Sequence, residues 1–124
     1  MGPTDWSPRK PFDLRERLFE FACLIIRLVQ FLHTRGPIAI ELSAQVLKSG
    51  TSAAANYEEA DDGTGTRDTI AKKKIALREL KETRIRLRML RKSNILTEEH
   101  DPIIDESDEL IRIVATIIRK SEGK

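Results

Sequence analysis

The first strong pattern of apolar positions along the chain covers residues 14–33. Its apolar members recur at spacings of three and four, the period of one helix face: Leu14, Leu18, Phe21, Ile25, Leu28 and Leu32. Asp13 stands before this stretch as a cap, and Glu16 completes an arrangement typical of a capping box. Gly36 followed by Pro37 ends the segment. The pattern therefore predicts a first helix.

This helix is apolar around most of its circumference. Phe19 and Ile26 lie outside the main stripe, and the polar positions Glu16, Glu20, Arg27 and Gln30 share one narrow strip. A helix at the periphery of a small protein normally shows water a broader polar face. We therefore expect an oligomer, in which Phe19 and Ile26 contact another subunit.

A second helix is predicted from about Ile38 to Ala60. Its apolar face is formed by Leu42, Val46, Ala53 and Tyr57. The segment 48–56 consists mostly of small residues and includes Gly50, which costs about 1 kcal/mol against alanine in a helix. Such residues suit the close approach of a neighbouring helix. The run 61–65 then predicts a loop.

The third predicted helix covers residues 67–92, with Thr66 as its cap and Asn94 as a left-handed residue after its end. Its main apolar stripe is Ile70, Leu77, Leu80 and Leu87. Three apolar residues lie apart from that stripe, and we expect them at the oligomer contact: Ile75, Ile85 and Met89.

A fourth helix ends near Lys120, and two starting points are open. Thr97 could cap it, or Asp101 could cap it with Pro102 in the first position, where proline is favoured. The short connections favour an all-α fold, an antiparallel up-down-up-down four-helix bundle, and no segment alternates like a strand. The predicted organisation is a flexible arm over 1–11, the bundle over 12–120 and a tail over 121–124.

Charge is unevenly distributed along the chain, although the total is only +2. Residues 67–92 carry eleven basic and three acidic groups, whereas 37–66 and 97–124 are each net acidic. Six cations fall on one outer arc of the third helix: Arg67, Lys74, Arg78, Lys81, Arg88 and Lys92. Clustered Lys and Arg supply salt-sensitive affinity for nucleic-acid phosphates. The alternative is a solvated face, partly neutralised by the acidic fourth helix.

Few residues are suited to catalysis. One cysteine and two histidines leave no cysteine-rich zinc site, and Ser52 has no identifiable histidine base. Aromatic residues make up 5%, which argues against modules that stack bases. The longest unbroken apolar run, 21–26, is far shorter than the roughly 20 residues that span a bilayer. We expect a cytoplasmic protein with no enzymatic activity, no cofactor and no metal.

One polar cluster needs a structural explanation. Arg84 projects into the apolar stripe of the third helix, and a buried arginine needs a carboxylate. Glu58 and Glu59 of the second helix, beside Asn56, are the expected partners. His33 and His100 lie at helix ends, where we expect them on the surface or in capping positions.

Two extended motifs identify a family resemblance. The runs Lys48 to Ala60 and Ile75 to Arg84 resemble the helix 2 and helix 3 signatures of bacterial four-helix-bundle proteins. That family was first noticed in intervening sequences of large-subunit ribosomal RNA genes. Shorter matches accompany the two runs: Leu42, Gln45 and Phe12 to Leu14. The resemblance covers about residues 12–120.

The resemblance implies a four-helix bundle that assembles as a homopentamer. It also suggests kinship with the accessory variability proteins of diversity-generating retroelements, basic pentamers that bind a reverse transcriptase and nucleic acid. We therefore expect a homo-oligomeric protein that binds RNA or DNA, or a nucleic-acid enzyme such as a reverse transcriptase. The alternative is a structural or protein-interaction bundle without nucleic-acid affinity.

Overall fold

The structure, a computed structural model, describes residues 5–61 and 66–123. Within those residues it is all-helical and has no strand, which confirms the predicted class. It contains four α-helices and one short 3-10 turn: α1 (Leu14–Leu32), α2 (Pro37–Asp61), α3 (Thr66–Lys92), the turn Glu98–His100 and α4 (Asp101–Ser121). Of the loop predicted at 61–65, Asp61 is instead the last residue of α2, and 62–65 lie outside the described residues. The side chain of Thr66, the predicted cap, lies outside them as well.

The helix ends follow from local chemistry. The Arg15 amide donates to Asp13 Oδ1 at 3.1 Å, which caps α1 as predicted. Asn94 follows α3 with a φ of 64°, the left-handed conformation that the sequence predicts there. The start of α4 matches neither alternative in full. The helix begins at Asp101 with His100 as its cap and Pro102 in its first turn, and Thr97 precedes the separate 3-10 turn.

One hydrophobic core joins all four helices. The stripe predicted on α1 forms its centre, since five of the six members are no more than 1% exposed: Leu18, Phe21, Ile25, Leu28 and Leu32. Along the chain each helix packs on the next, whereas α1 and α4 meet at only a few positions. The groove between α1 and α4 is therefore the least closed side of the fold.

Small residues in the middle of α2 bring both of its neighbours close. A Cβ added at Gly50 would lie 2.8 Å from Ile25 Cγ2 on α1. On the α3 side, the buried Thr83 Oγ1 donates to Ser49 Oγ at 2.7 Å. The close helix approach expected from the small residues is thus present on two sides of α2.

The segment 5–11 differs from the mobile arm that its lack of periodicity predicts. Trp6 is buried at 4% exposure, with its ring 6.0 Å from that of Phe31 and 5.2 Å from that of His100. A single large aromatic side chain can fix a segment that has no helix of its own, because it removes much apolar area from water. Residues 1–4 of the predicted arm lie outside the described part of the chain.

We predict that Gly50→Ala lowers the free energy of unfolding, although alanine is the better helix former. Overpacking against Ile25 costs about 1–3 kcal/mol, and the gain in helix propensity is only about 1 kcal/mol. Chemical denaturation of the two proteins measures the difference.

The matched background is Ile25→Ala, which removes the Cγ atoms that the new methyl group would meet. In that background Gly50→Ala should stabilise, by about 1 kcal/mol. An equal effect of Gly50→Ala in both backgrounds would contradict the close contact.

Candidate nucleic-acid interface

The six cations singled out in the sequence lie together on the outer face of α3. At about 100° per residue they fall within an arc of about 80°. All six side chains are exposed: Arg67, Lys74, Arg78, Lys81, Arg88 and Lys92. We refer to these six residues as the basic stripe.

Most of the basic stripe has no neutralising partner within residues 5–61 and 66–123. Lys74 lies 2.8 Å from Glu122, and Arg78 is 3.6–3.9 Å from Glu79 and Glu82. The other four cations form no ion pair with the residues that the structure describes. The charge of the stripe is therefore presented to solvent, where it can meet an anion without first breaking a strong internal pair.

The remaining cations of α3 behave differently, because they point sideways to neighbouring helices. Each of four has a polar partner within 2.6–3.0 Å: Lys72 with Glu59, Arg84 with Asp108, Arg86 with Gln45, and Arg91 with Asp101. The pKa of Arg91 is raised, first by its hydrogen bond to Asp101. Acidic or amide groups of α2 and α4 thus bind these cations at the sides of α3, whereas its outer face stays basic.

Two of the predicted oligomer-contact residues lie on the same face. Ile85 falls in the middle of the arc of the basic stripe, and Met89 lies beside its edge. Their exposed fractions are 41% and 56%. Ile75 lies outside this arc, on the side of α3 that faces α2, and is half-buried. Phosphate binding and subunit contact, predicted as separate properties of α3, therefore compete for one surface.

A second exposed apolar surface lies along the boundary of α1 and α2. Phe19 and Ile26 on α1 are 55% and 43% exposed. They share a helix face with Arg15, whose guanidinium lies 3.8 Å from Glu58 on α2. Ile40 and Leu47 share the corresponding face of α2 with Glu58, and both are exposed. We refer to Phe19, Ile26, Ile40 and Leu47 as the α1/α2 strip.

The polar cluster predicted around Arg84 is not assembled. Its members have separate partners: Asn56 with the Ser52 carbonyl, Glu58 with Arg15, Glu59 with Lys72, and Arg84 with Asp108. The prediction that Arg84 pairs with Glu58 or Glu59 is wrong, because Arg84 lies on the α4 side of α3. About a third of its side chain is exposed.

The buried ion pair of the fold is elsewhere. Arg17 on α1 donates from Nε to Glu106 Oε2 at 2.8 Å and from Nη2 to Oε1 at 2.7 Å, and the Glu106 side chain is fully buried. Arg17 Nη2 also lies 2.6 Å from Glu109. The Glu106 hydrogen bond is the main reason that the pKa of Arg17 is raised. The sequence does contain an indication that Glu106 is buried, because this residue stands between Ile103 and Leu110 on the apolar strip of α4.

The two histidines differ. His33 is exposed at the end of α1, as predicted. His100 is fully buried, contrary to the expectation of a surface residue, but it has a capping contact because the Thr97 amide donates to its Nδ1 at 3.0 Å. Burial is the main cause of its lowered pKa.

Neither a metal-ligand cluster nor a membrane-spanning helix is found in the described part of the chain. The described residues contain no group of three His, Cys, Asp or Glu side chains arranged to hold a metal ion. A cleft of about 240 Å³ between α2 and α3 is lined by two cations, two carboxylates and two neutral polar residues: Lys48, Arg86, Glu79, Glu82, Gln45 and Ser49. None of the helices in this part of the chain has the length and apolarity needed to cross a bilayer.

Comparison with known proteins gives a family and a fold. The sequence model described as 23S rRNA-intervening sequence protein matches residues 11–116. A crystal structure from Bacteroides thetaiotaomicron, described as a protein of unknown function from the S23 ribosomal protein family, is 32% identical with a TM-score of 0.78. The match covers 86% of this chain and 98% of that one. A search of curated protein sequences finds no significant match.

We predict that Arg17→Ala is strongly destabilising and that Arg84→Ala is nearly neutral. Removing Arg17 leaves the buried Glu106 without its main partner, at a cost of about 3–5 kcal/mol. Arg84 and Asp108 are both about one-third exposed, so their pair contributes only about 0–1 kcal/mol. Thermal and chemical denaturation of both variants check this order.

The double variant Arg17→Met with Glu106→Leu is the control, since it removes both charges and keeps apolar volume. It should recover most of the stability lost in Arg17→Ala. Equal melting temperatures for Arg17→Ala and Arg84→Ala would contradict the assignment of the buried pair.

Proposed function

Because the chain belongs to the 23S rRNA-intervening sequence protein family, we propose that it is a non-enzymatic, homo-oligomeric four-helix-bundle protein that binds nucleic acid through the basic stripe. The observation that carries the proposal is the contrast within α3. Its sideward cations are paired with neighbouring helices, whereas four of the six outward ones form no ion pair with any described residue. If positive and negative side chains were evenly mixed over the surface of α3, its outward cations would be paired as often as its sideward ones.

The chemistry of the stripe suits phosphate rather than bases. Lys74, Lys81 and Arg88 follow one another at intervals of seven residues, which places a line of cations along the helix at steps of about 10 Å. Such a line attracts a polyanion electrostatically and releases its counterions on binding. No side-chain array for reading base edges accompanies the stripe among the described residues. Binding should therefore be largely independent of sequence.

The bundle is antiparallel, up-down-up-down, in this proposal. Its support is the order of contacts along neighbouring helices. Between α1 and α2 the order is Arg15 with Glu58 and then Ile25 with Gly50. Between α2 and α3 it is Gln45 with Arg86, Ser49 with Thr83 and Glu59 with Lys72. In both cases the residue numbers rise along one helix while they fall along its neighbour, as in an antiparallel pair.

Assembly uses the α1/α2 strip. If Ile85 and Met89 were covered by another subunit, the cations beside them would be covered as well. The α1/α2 strip carries the exposed apolar area that an interface needs and leaves the basic stripe free. A ring of subunits would then carry one basic stripe per subunit, and the electrostatic fields of these stripes would add. The family resemblance favours five subunits and, as a protein partner, a nucleic-acid enzyme such as a reverse transcriptase. A cytoplasmic location belongs to the same proposal and rests on the short apolar runs of the sequence.

A second function is favoured by one specific observation. Ile85 and Met89 place exposed apolar side chains within and beside the basic stripe. Such side chains make no favourable contact with a phosphate group. A partner protein with acidic and apolar groups on one face would use both kinds of contact. In this reading the protein is an interaction bundle without nucleic-acid affinity.

We predict that replacing Lys81 and Arg88 together by glutamine weakens binding to all RNA and DNA sequences alike. Two lost phosphate contacts should flatten the slope of log affinity against log salt by about 1.5. Filter binding over a range of salt concentrations measures both effects. The fold should be unchanged, because both side chains are exposed.

The matched control is Arg112→Gln with Arg119→Gln, which removes two exposed positive charges from α4 instead. It should leave most of the affinity and the slope intact. No binding by the wild type at low salt would reject the basic stripe and favour the interaction bundle. Equal losses in both double variants would reject the stripe as the binding surface, because binding would then follow the total charge.

We predict that light scattering reports a multimer and that Ile26→Glu dissociates it. A glutamate in the α1/α2 strip would have to be buried as an unpaired charge, which opposes association. Ile85→Glu, the comparison variant on α3, should remain assembled. A monomeric wild type would contradict the proposal, and dissociation by Ile85→Glu alone would move the interface to α3.

A further inference from the structure

Residues 5–10 lie along the groove between α1 and α4, and we refer to them as the strap. The strap is fixed at two ends. At one end Trp6 is buried, and at the other Lys10 Nζ lies 3.1 Å from Glu109 on α4. Between these ends a cleft of about 170 Å³ separates residues 7–9 from α1. The middle of the strap is therefore loosely packed, and its two ends hold it in place.

The Trp6 end is held by rings rather than by strong hydrogen bonds. The indole packs on Phe31 and His100, and the Arg27 guanidinium lies 5.3 Å from the indole centroid. The hydrogen bond from α1 to this end of the strap is long, from Arg27 Nη2 to the Asp5 carbonyl at 3.5 Å. Docking of Trp6 thus depends on the shape and charge of the surface that His100 helps to form.

His100 can hold only one protonation state in this position. Because the Thr97 amide donates to Nδ1, the imidazole is neutral and its proton is on Nε2. That Nε2 is buried and has no hydrogen-bond partner among the residues that the structure describes. A second proton would have to enter at Nδ1, where it would face the Thr97 N–H. Protonation therefore breaks the capping contact and places a charge in a buried site beside Trp6.

The charged groups around His100 partly oppose one another. Glu99 and Asp101 on its own segment favour the protonated form, and Arg91 on α3 disfavours it. Asp101 is itself bound to Arg91 at 2.9 Å. From α1, Arg27 lies over Trp6 and Arg35 over Phe31, so the nearest groups on that side are cationic. Burial outweighs the two carboxylates, and the pKa of His100 is below its ordinary value of 6.5.

We propose that the Trp6 end of the strap is an acid-sensitive latch, in which protonation of His100 undocks Trp6 and opens the groove between α1 and α4. The sign follows from proton linkage. The neutral imidazole is the docked form, so the contribution of His100 to docking is complete above its ordinary pKa and is lost as the pH falls through the lower pKa of the docked form. Lys10 keeps the other end tethered, because Arg17 and Lys10 lower the pKa of Glu109 and that carboxylate stays charged through this range.

Trp6 is the only tryptophan of the chain, so its accessibility can be measured on the unmodified protein. The experiment is acrylamide quenching of Trp6 fluorescence from about pH 7.5 to about pH 5, with far-UV circular dichroism recorded in parallel. We expect the quenching constant to rise at least about twofold while the helical signal is kept, as in a local opening. Quenching is preferred to emission intensity because an imidazolium beside an indole lowers the intensity without any movement.

His100→Asn is the test variant, since its side-chain oxygen can still accept from the Thr97 amide but does not titrate. It should show the same quenching at both ends of the pH range. His33→Asn removes the exposed histidine and should behave like the wild type. In the wild type, NMR signals of the His100 ring and the Trp6 indole N–H should shift with one midpoint, a measurement that needs no variant.

Three outcomes overturn the latch. The first is constant quenching of the wild type across the pH range. The second is an equal rise in quenching in His100→Asn, or separate NMR midpoints for His100 and Trp6. The third is loss of the helical signal together with the rise, because the event would then be global unfolding.

Discussion

The close approach at the middle of α2 determines how the other helices are placed. Gly50 admits Ile25 of α1, and Ser49 meets Thr83 of α3 through their hydroxyl groups. Large side chains at these positions would separate α2 from both neighbours and shift their register. Because the register is fixed there, the sideward cations of α3 meet acidic or amide partners on α2 and α4. The cations that remain are turned outward, and the basic stripe is a consequence of the packing.

On the opposite side of the fold, by contrast, the helices are less closely packed. With α2 drawn close to α1 and α3, α1 and α4 meet at only a few positions. Two different structural features lie on that side: the bidentate Arg17–Glu106 ion pair, and the strap with its buried Trp6. A buried ion pair specifies one geometry but stabilises little beyond an apolar equivalent. The strap, in contrast, buries a large aromatic surface and can in principle be lifted without disturbing α2.

Periodicity was sufficient for the four helices and for most of the core, because nearly all repeating positions on α1 are buried, as are Leu80 and Leu87 on α3. Leu42, predicted on the apolar face of α2, is exposed instead. It failed where a single residue decides the outcome. Trp6 has no periodic neighbours, so nothing in its surroundings marks it as buried. Arg84 and Arg17 both interrupt apolar stripes, and only the three-dimensional positions of Glu58, Asp108 and Glu106 decide which arginine is buried. For the candidate site, the arc of cations was predictable, but their pairing was not, since pairing depends on neighbouring helices.

The coincidence of Ile85 and Met89 with the basic stripe constrains any function of α3. A surface that binds phosphate gains from exposed cations and loses nothing by having polar neighbours, so selection for phosphate alone does not explain two exposed apolar residues there. A surface that binds another copy of the chain would have to bury cations without partners, which is unfavourable. A surface that accommodates a polyanion and an apolar group together has neither difficulty. Arg88 beside Ile85 and Met89 offers both kinds of contact within about one helical turn, so the basic stripe combines a charged and an apolar contact surface.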